Sequence, residues 1–232
     1  MKKFITITIM VFFISCNLLG QSKITPNGDG VNSWITSTKF YLDKKNTDVK
    51  PEGSPYMFNT FMLGKIIGIN QDLMLRYNAF ADEVEIQKTE TENGAILKDL
   101  QFNIISMNFG KYKLRLLNYK NAKNEGVYGY LVEVFNANDF SLLRRDKIIL
   151  ENEKMPKTSF EPYYPAKFVK VKNEFYIEKK DKSVLPMPKN KKELEAVFPN
   201  QMGEIETFFK NKNYSFKEEQ DLIEISKFIA TL

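Results

Sequence analysis

Apolar residues in this chain follow two periods, and the change between them falls at Pro188. From Pro55 to about Met187 they alternate with polar residues in short runs bounded by Gly, Asn or Asp. Lys65–Ile69, Leu73–Tyr77, Glu83–Lys88, Ala95–Leu97, Phe102–Met107 and Tyr112–Asn118 read as strands, at the roughly 8–12-residue spacing of an all-β domain. Leu114-Arg115-Leu116 and Val169-Lys170-Val171 show the in–out alternation of half-buried antiparallel strands. Two longer runs, Gly126–Phe135 and Ser141–Leu150, flank a turn at Asn136–Asp139. Phe168–Lys172 and Glu174–Lys179 meet at Lys172-Asn173, which reads as a hairpin turn. No long helical pattern interrupts these strands, so a parallel βαβ sheet is not expected. The predicted fold is mainly β (α+β): a curled antiparallel meander or half-barrel.

After Pro188 the period becomes 3.6. Asn190 and Glu193 mark a helix start, with Leu194, Val197 and Phe198 on one face. Glu204–Lys212 brings Ile205, Phe208 and Phe209 together. Ser215-Phe216-Lys217-Glu218 has the form of a capping box, opening a helix striped by Leu222, Ile225, Phe228, Ile229 and Leu232. Two or three helices are therefore expected to pack on the sheet. The predicted organisation is a signal peptide over residues 1–21, a flexible lead-in over 22–54 in which Trp34–Leu42 could form a strand, a β domain over 55–188 and a helical cap over 189–232.

The amino terminus carries the targeting information. Lys2 and Lys3 precede an apolar run, Phe4–Ile14, whose length fits a secretory signal better than a membrane span. The expected location is extracytoplasmic, in the periplasm or associated with the outer membrane. Phe13-Ile14-Ser15-Cys16 has the outline of a lipobox, which makes Cys16 a candidate lipidation site. Cleavage near Gly20 or Gln21, with Cys16 discarded, is the competing reading.

Composition then removes whole classes of chemistry. The chain has 232 residues, no histidine and a single cysteine, Cys16. Beyond the signal it cannot run a Ser-His-Asp or Cys-His mechanism, build the usual zinc or iron–sulfur sites, or close an internal disulfide. No cofactor or metal is expected, and no catalytic residue is assigned. The formal charge is +5, and two of those charges, Lys2 and Lys3, leave with the signal. With 34 basic and 29 acidic side chains interspersed, nucleic acid is not an expected partner.

Three segments could carry chemistry. Thr25–Asn32 (TPNGDGVN) resembles the opening motif of the gliding-motility-associated C-terminal domains of exported Bacteroidota proteins. The resemblance covers those eight residues, and no glutamate completes an EF-type calcium loop. Glu83 and Glu85 share a strand face and could pair as acid and base. The simpler reading is that both face water while Val84 and Ile86 face the core. The chain has nineteen Phe and eleven Tyr, and a group of them from Tyr128 and Tyr130 to Phe175 and Tyr176, in the second half of the β region, fills a core or lines an apolar pocket in the mouth of a half-barrel.

Gly53-Ser54-Pro55-Tyr56, Phe61, Gly64, Leu75-Arg76-Tyr77-Asn78 and Glu83-Val84-Glu85 together resemble a group of uncharacterised exported Bacteroidota proteins. Lys191–Leu194, Phe198-Pro199 and Lys217–Leu222 extend the likeness to the carboxyl terminus. The resemblance implies an exported β domain with a helical tail and carries no activity. It marks Arg76, Tyr77, Asn78 and Glu85 as positions of interest, in a structural or a binding role. With Tyr128 and Tyr130 from the aromatic supply, Arg76, Tyr77 and Asn78 form the candidate ligand-binding set. The functional expectation is a non-enzymatic envelope protein that binds a lipid-like ligand or another envelope protein. Its only expected membrane attachment is a lipid on Cys16. The alternatives are an interaction domain without a pocket and, less favoured, a hydrolase using carboxylates alone.

Overall fold

A computed structural model describes residues 41–43, 51–91, 93–96, 98–210 and 212–232. The expected signal segment, Cys16, the Thr25–Asn32 motif and most of the expected lead-in lie outside the described residues.

The described chain is a curled antiparallel sheet carrying helices, as the hydrophobic periods require. Its strands are β1 (Tyr41–Asp43), β2 (Met62–Ile66), β3 (Leu73–Asn78), β4 (Glu83–Gln87), β5 (Asn93–Ile96), β6 (Ile104–Met107), β7 (Tyr112–Lys120), β8 (Gly126–Ala137), β9 (Phe140–Arg145), β10 (Ile148–Glu151), β11 (Lys167–Lys170), β12 (Glu174–Glu178) and β13 (Val184–Pro186). Eleven of them form one sheet in the order β1-β5-β4-β3-β2-β6-β7-β8-β9-β12-β13, and β10 and β11 form a separate ribbon. Every pairing between these strands is antiparallel. The β8–β9 hairpin turns through Asn138 and Asp139, both at positive φ, the geometry that matches strand twist.

The sheet curls twice. In the first half, Leu75, Tyr77, Val84, Ile86, Ile105, Met107, Leu114, Leu116 and Tyr130 share one face of the register and are buried. In the second half the opposite face closes over Tyr119, Leu131, Leu143, Tyr176 and Val184, with β13 lying against β7. Gly64 permits the tight approach of β2 to its neighbours, since a Cβ there would sit 2.5 Å from the Ser106 carbonyl oxygen and 2.9 Å from Leu75 Cδ1.

Three helices cover the remaining apolar face of β9 and β12: α1 (Lys191–Val197), α2 (Met202–Lys210) and α3 (Glu219–Ile229). Leu194, Ile205, Leu222, Ile225 and Ile229 share one buried cluster with Phe140, Leu142 and Ile177. Asn190 caps α1 by accepting the Glu193 N–H at 2.9 Å, and Glu193 accepts the Lys189 N–H at 2.8 Å. Phe208 stacks on Phe228 at 4.2 Å between ring centroids, which ties α2 to α3.

The structure corrects four local expectations. The β structure reaches into the expected lead-in, because Tyr41–Asp43, at the end of the candidate strand Trp34–Leu42, pairs with β5 of the sheet and Glu52 bridges Lys167 of the ribbon. Ser141–Leu150 is two strands, broken where Asp146 turns its carboxylate inward to Arg144 and Tyr112. Lys172-Asn173 joins no hairpin: β11 pairs with β10 while β12 pairs with β9. Ser215 does not cap α3. Its hydroxyl accepts the Lys217 N–H at 3.2 Å in a local turn, and α3 begins at Glu219 with no side-chain cap on its first N–H groups.

Candidate functional site

Strand alternation divides the residues that the sequence brings forward. Arg76 and Asn78 point to one face of β3 and Tyr77 to the other, as period 2 demands. Arg76 lies between the rings of Tyr56 and Phe61, its guanidinium carbon 3.5 and 4.2 Å from their centroids. It donates to Glu85 Oε2 at 2.8 Å and to the Asn59 carbonyl at 3.1 Å. Glu85 is 0% exposed and also accepts from Tyr56 at 3.2 Å, Asn78 at 3.3 Å and Asn93 at 3.0 Å. The expectation that Glu85 faces water is therefore overturned. The segment that carries Tyr56 and Phe61 covers its face, and Arg76 supplies the compensating charge. Asn78 also accepts the Ala81 N–H at 2.9 Å, which shapes the β3–β4 turn.

Tyr77 and Tyr130 meet inside the first curl, edge to face at 6.2 Å. The Tyr77 hydroxyl donates to Asp82 at 2.8 Å, while the Tyr130 hydroxyl is buried with no partner among the described residues. Burial first, then the Asp82 charge, pushes both phenols above their ordinary value. Tyr128, two residues before Tyr130, is 37% exposed. The five candidate residues thus occupy an ion-pair clamp, a packed interior and an outer rim, and do not converge on one ligand.

Among the described residues, the interior of the first curl is closely packed. Leu75, Val84, Ile86, Ile105, Met107 and Leu114 have no solvent-accessible surface, and Tyr130 has 1%. Burial at that level leaves no water-sized gap beside those side chains.

A second polar cluster lies on the face closed by the second curl. Arg115 donates to Glu178 at 2.6 and 2.8 Å and to Ser141 at 3.3 Å. It also pairs with Glu133 at 3.5 Å, which Lys113 holds at 2.8 Å. Burial works to raise the Glu178 carboxyl, but the Arg115 hydrogen bonds and charge, helped by Ser141, hold it below the ordinary carboxylate value. A general acid needs the opposite shift. In a third cluster, Arg144 joins Asp146 at 2.7 Å to Glu219 of α3 at 2.8 Å, fastening the cap to the sheet.

The apolar groups left in water lie elsewhere. Leu63 and the 85%-exposed Phe109 border an open groove of about 450 Å³ with Lys65, Asp72 and Ser106. More pronounced is the arm formed by β10, β11 and the residues between them. Lys154 and Tyr164 exchange backbone hydrogen bonds at 2.8 and 3.1 Å, and the Glu161 N–H donates to the Thr158 carbonyl at 3.2 Å. Glu161 accepts the Lys157 N–H at 2.7 Å, and Tyr163 donates to Glu153 at 2.8 Å. The tip is thus an ordered turn, yet Phe160 on it is 96% exposed, and Met155, Tyr163 and Tyr164 are more than half exposed. At the base, Phe168 packs on Phe80 at 5.1 Å, and Glu52 bonds both Ala166 and Phe168. Gly53 makes this contact feasible, because a Cβ there would meet the Phe168 carbonyl at 2.9 Å and its φ is +78°.

Sequence reasoning missed the arm. Residues 152–166 lack period-2 alternation and hold Pro156, Pro162 and Pro165, so they read as a plain loop. The one available signal was Met155, Phe160, Tyr163 and Tyr164 in a segment with no core to fill. No helix among the described residues is long and apolar enough to cross a membrane. No protein-family model, curated protein or solved structure matches the chain.

Proposed function

We propose that the protein is a non-enzymatic, exported envelope protein that binds another envelope component through its outer surface rather than a ligand inside the curled sheet. The observation that carries this reading is the contrast between a closely packed interior and an ordered arm that holds Phe160 in water. Folding gains nothing from an exposed phenylalanine at a turn, whereas recognition does. The absence of histidine supports the non-enzymatic part. Export rests on Lys2, Lys3 and the apolar run Phe4–Ile14. Native mass spectrometry of the chain purified from the envelope tests the choice between surface and interior. The expected mass is that of the polypeptide, with any covalent lipid, and no retained apolar molecule. A stoichiometric non-covalent lipid that persists in the Phe160→Ser variant overturns it.

A further inference from the structure

Resting on that reading, we infer that the β10–β11 arm is a membrane-contact device, and that the envelope component it engages is the phospholipid surface itself. The chemistry at the tip is that of an interfacial anchor. Phe160 lies within the Thr158–Glu161 turn, and Met155, Tyr163 and Tyr164 lie on the two segments that flank it, each more than half exposed. A phenyl ring favours the acyl boundary, and tyrosines favour the headgroup level, where the ring is apolar and the hydroxyl wet. Lysine completes the pattern. The arm from Lys147 to Lys172 carries six lysines against three glutamates. Lys147 and Lys167 pair with Glu174 and Glu151, and the exposed Lys154, Lys157, Lys170 and Lys172 have long stems on which an ammonium group can meet phosphates.

Shape and size favour lipid over a protein partner. A stable protein interface covers about 800 Å² on each side with matched surfaces. The tip offers four large apolar side chains on an eleven-residue hairpin end, Lys154–Tyr164, and every residue of that end is exposed. A bilayer needs no matching surface and accepts a narrow apolar wedge. The polar backbone of the wedge is also partly satisfied in advance. The Lys154–Tyr164 bonds and the Thr158–Glu161 turn reduce the number of backbone groups that lose water on insertion, and the Glu161 carboxylate on the Lys157 N–H limits that insertion to the headgroup boundary. The base does not move freely against the domain, since Phe80, Phe168 and the Glu52 bridge hold it.

The test compares the purified exported chain with its Phe160→Ser variant, both carrying the same amino terminus. Each is mixed with vesicles of phosphatidylethanolamine and phosphatidylglycerol and, separately, with native envelope membranes. Phe160→Ser alters an exposed turn residue, and an unchanged melting temperature confirms that the fold is retained. Wild type is expected to bind the pure lipid vesicles, and the variant to partition about ten-fold more weakly. In a Phe160→Trp variant, emission should shift to the blue on vesicles and be quenched by brominated acyl chains beyond what Trp34, the only native tryptophan, shows. Binding to native membranes but not to pure lipid, with loss in Phe160→Ser, overturns the lipid assignment and leaves surface recognition of an envelope protein standing. Equal vesicle binding by wild type and variant overturns the role of the arm. Binding to neither membrane overturns both this inference and the reading beneath it.

Discussion

Asp82 and Gly129 claim the same space: a Cβ on Gly129 would overlap Asp82 Oδ2. Because Gly129 has no side chain, Asp82 reaches the Tyr130 N–H at 3.2 Å while accepting from the Tyr77 hydroxyl and from Lys98, each at 2.8 Å. Asp82 itself sits at φ 55°, a left-handed conformation that Asp tolerates better than most residues. One carboxylate thus ties the β3–β4 turn to a stretch of β8 that pairs with β7 on one side only, and so closes the first curl.

Gly129→Ala should therefore lower stability by about 1–3 kcal/mol, because Asp82 must withdraw or β8 must shift. Asp82→Ala should cost about as much or more, since it strands the buried Tyr77 hydroxyl and the Tyr130 N–H. Urea denaturation followed by tyrosine fluorescence measures both. Wild-type stability in either variant would show that the first curl closes without this contact.

Arg76 should act on stability rather than on ligand affinity. Removing it breaks the 2.8 Å pair to the fully buried Glu85 carboxylate, a change of about 3–5 kcal/mol for a buried pair. Arg76→Lys should rescue little, because an ammonium cannot stack flat between Tyr56 and Phe61 while bonding both Glu85 and Asn59. Thermal melts of Arg76→Ala, Arg76→Lys and Arg76→Ala/Glu85→Gln decide this. The double variant should recover part of the loss.

Stability should fall at both ends of the pH range for separate reasons. The Glu178 carboxyl is lowered in the fold, so its contribution is present above the unfolded carboxylate range and lost as pH falls through the folded value. Glu178→Gln should flatten that acid limb. Tyr77, Tyr112, Tyr119, Tyr130 and Tyr176 are raised, chiefly by burial, so their contribution is intact below about pH 10 and lost above it. Chemical denaturation across the pH range reads both limbs. A flat acid limb in wild type would contradict the Glu178 assignment.

Deleting the chain after Asn190 should abolish cooperative unfolding. It exposes Phe140, Leu142 and Ile177 and removes Glu219 from Arg144, and each large buried apolar side chain contributes about 1.5–3 kcal/mol. A normal melting transition in the truncated protein would make the helices a detachable module.

The β core was legible because burial on one face writes period 2 directly into runs such as Tyr112–Leu116, and the helical stripe Leu222-Ile225-Ile229 was legible for the same reason. Boundaries slipped where long-range contacts decide. Asp146 breaks Ser141–Leu150 by turning toward Arg144 and Tyr112, and Tyr112 is distant in sequence. The burial of Glu85 was invisible because Tyr56 and Phe61, which cover it, come from a segment with no strand pattern. The candidate set failed to converge because neighbours on a strand, Arg76 and Tyr77, must face opposite ways. The arm was hidden by its prolines, since its order comes from side-chain and turn hydrogen bonds that leave no periodic trace.

The measurement that bears most directly on surface rather than interior binding is co-sedimentation of the purified chain with native envelope membranes, wild type beside Phe160→Ser and Tyr163→Ser/Tyr164→Ser. The expected result is binding by wild type, weakened about ten-fold in Phe160→Ser and reduced in Tyr163→Ser/Tyr164→Ser, at unchanged melting temperature. Undiminished binding by both variants would contradict the account.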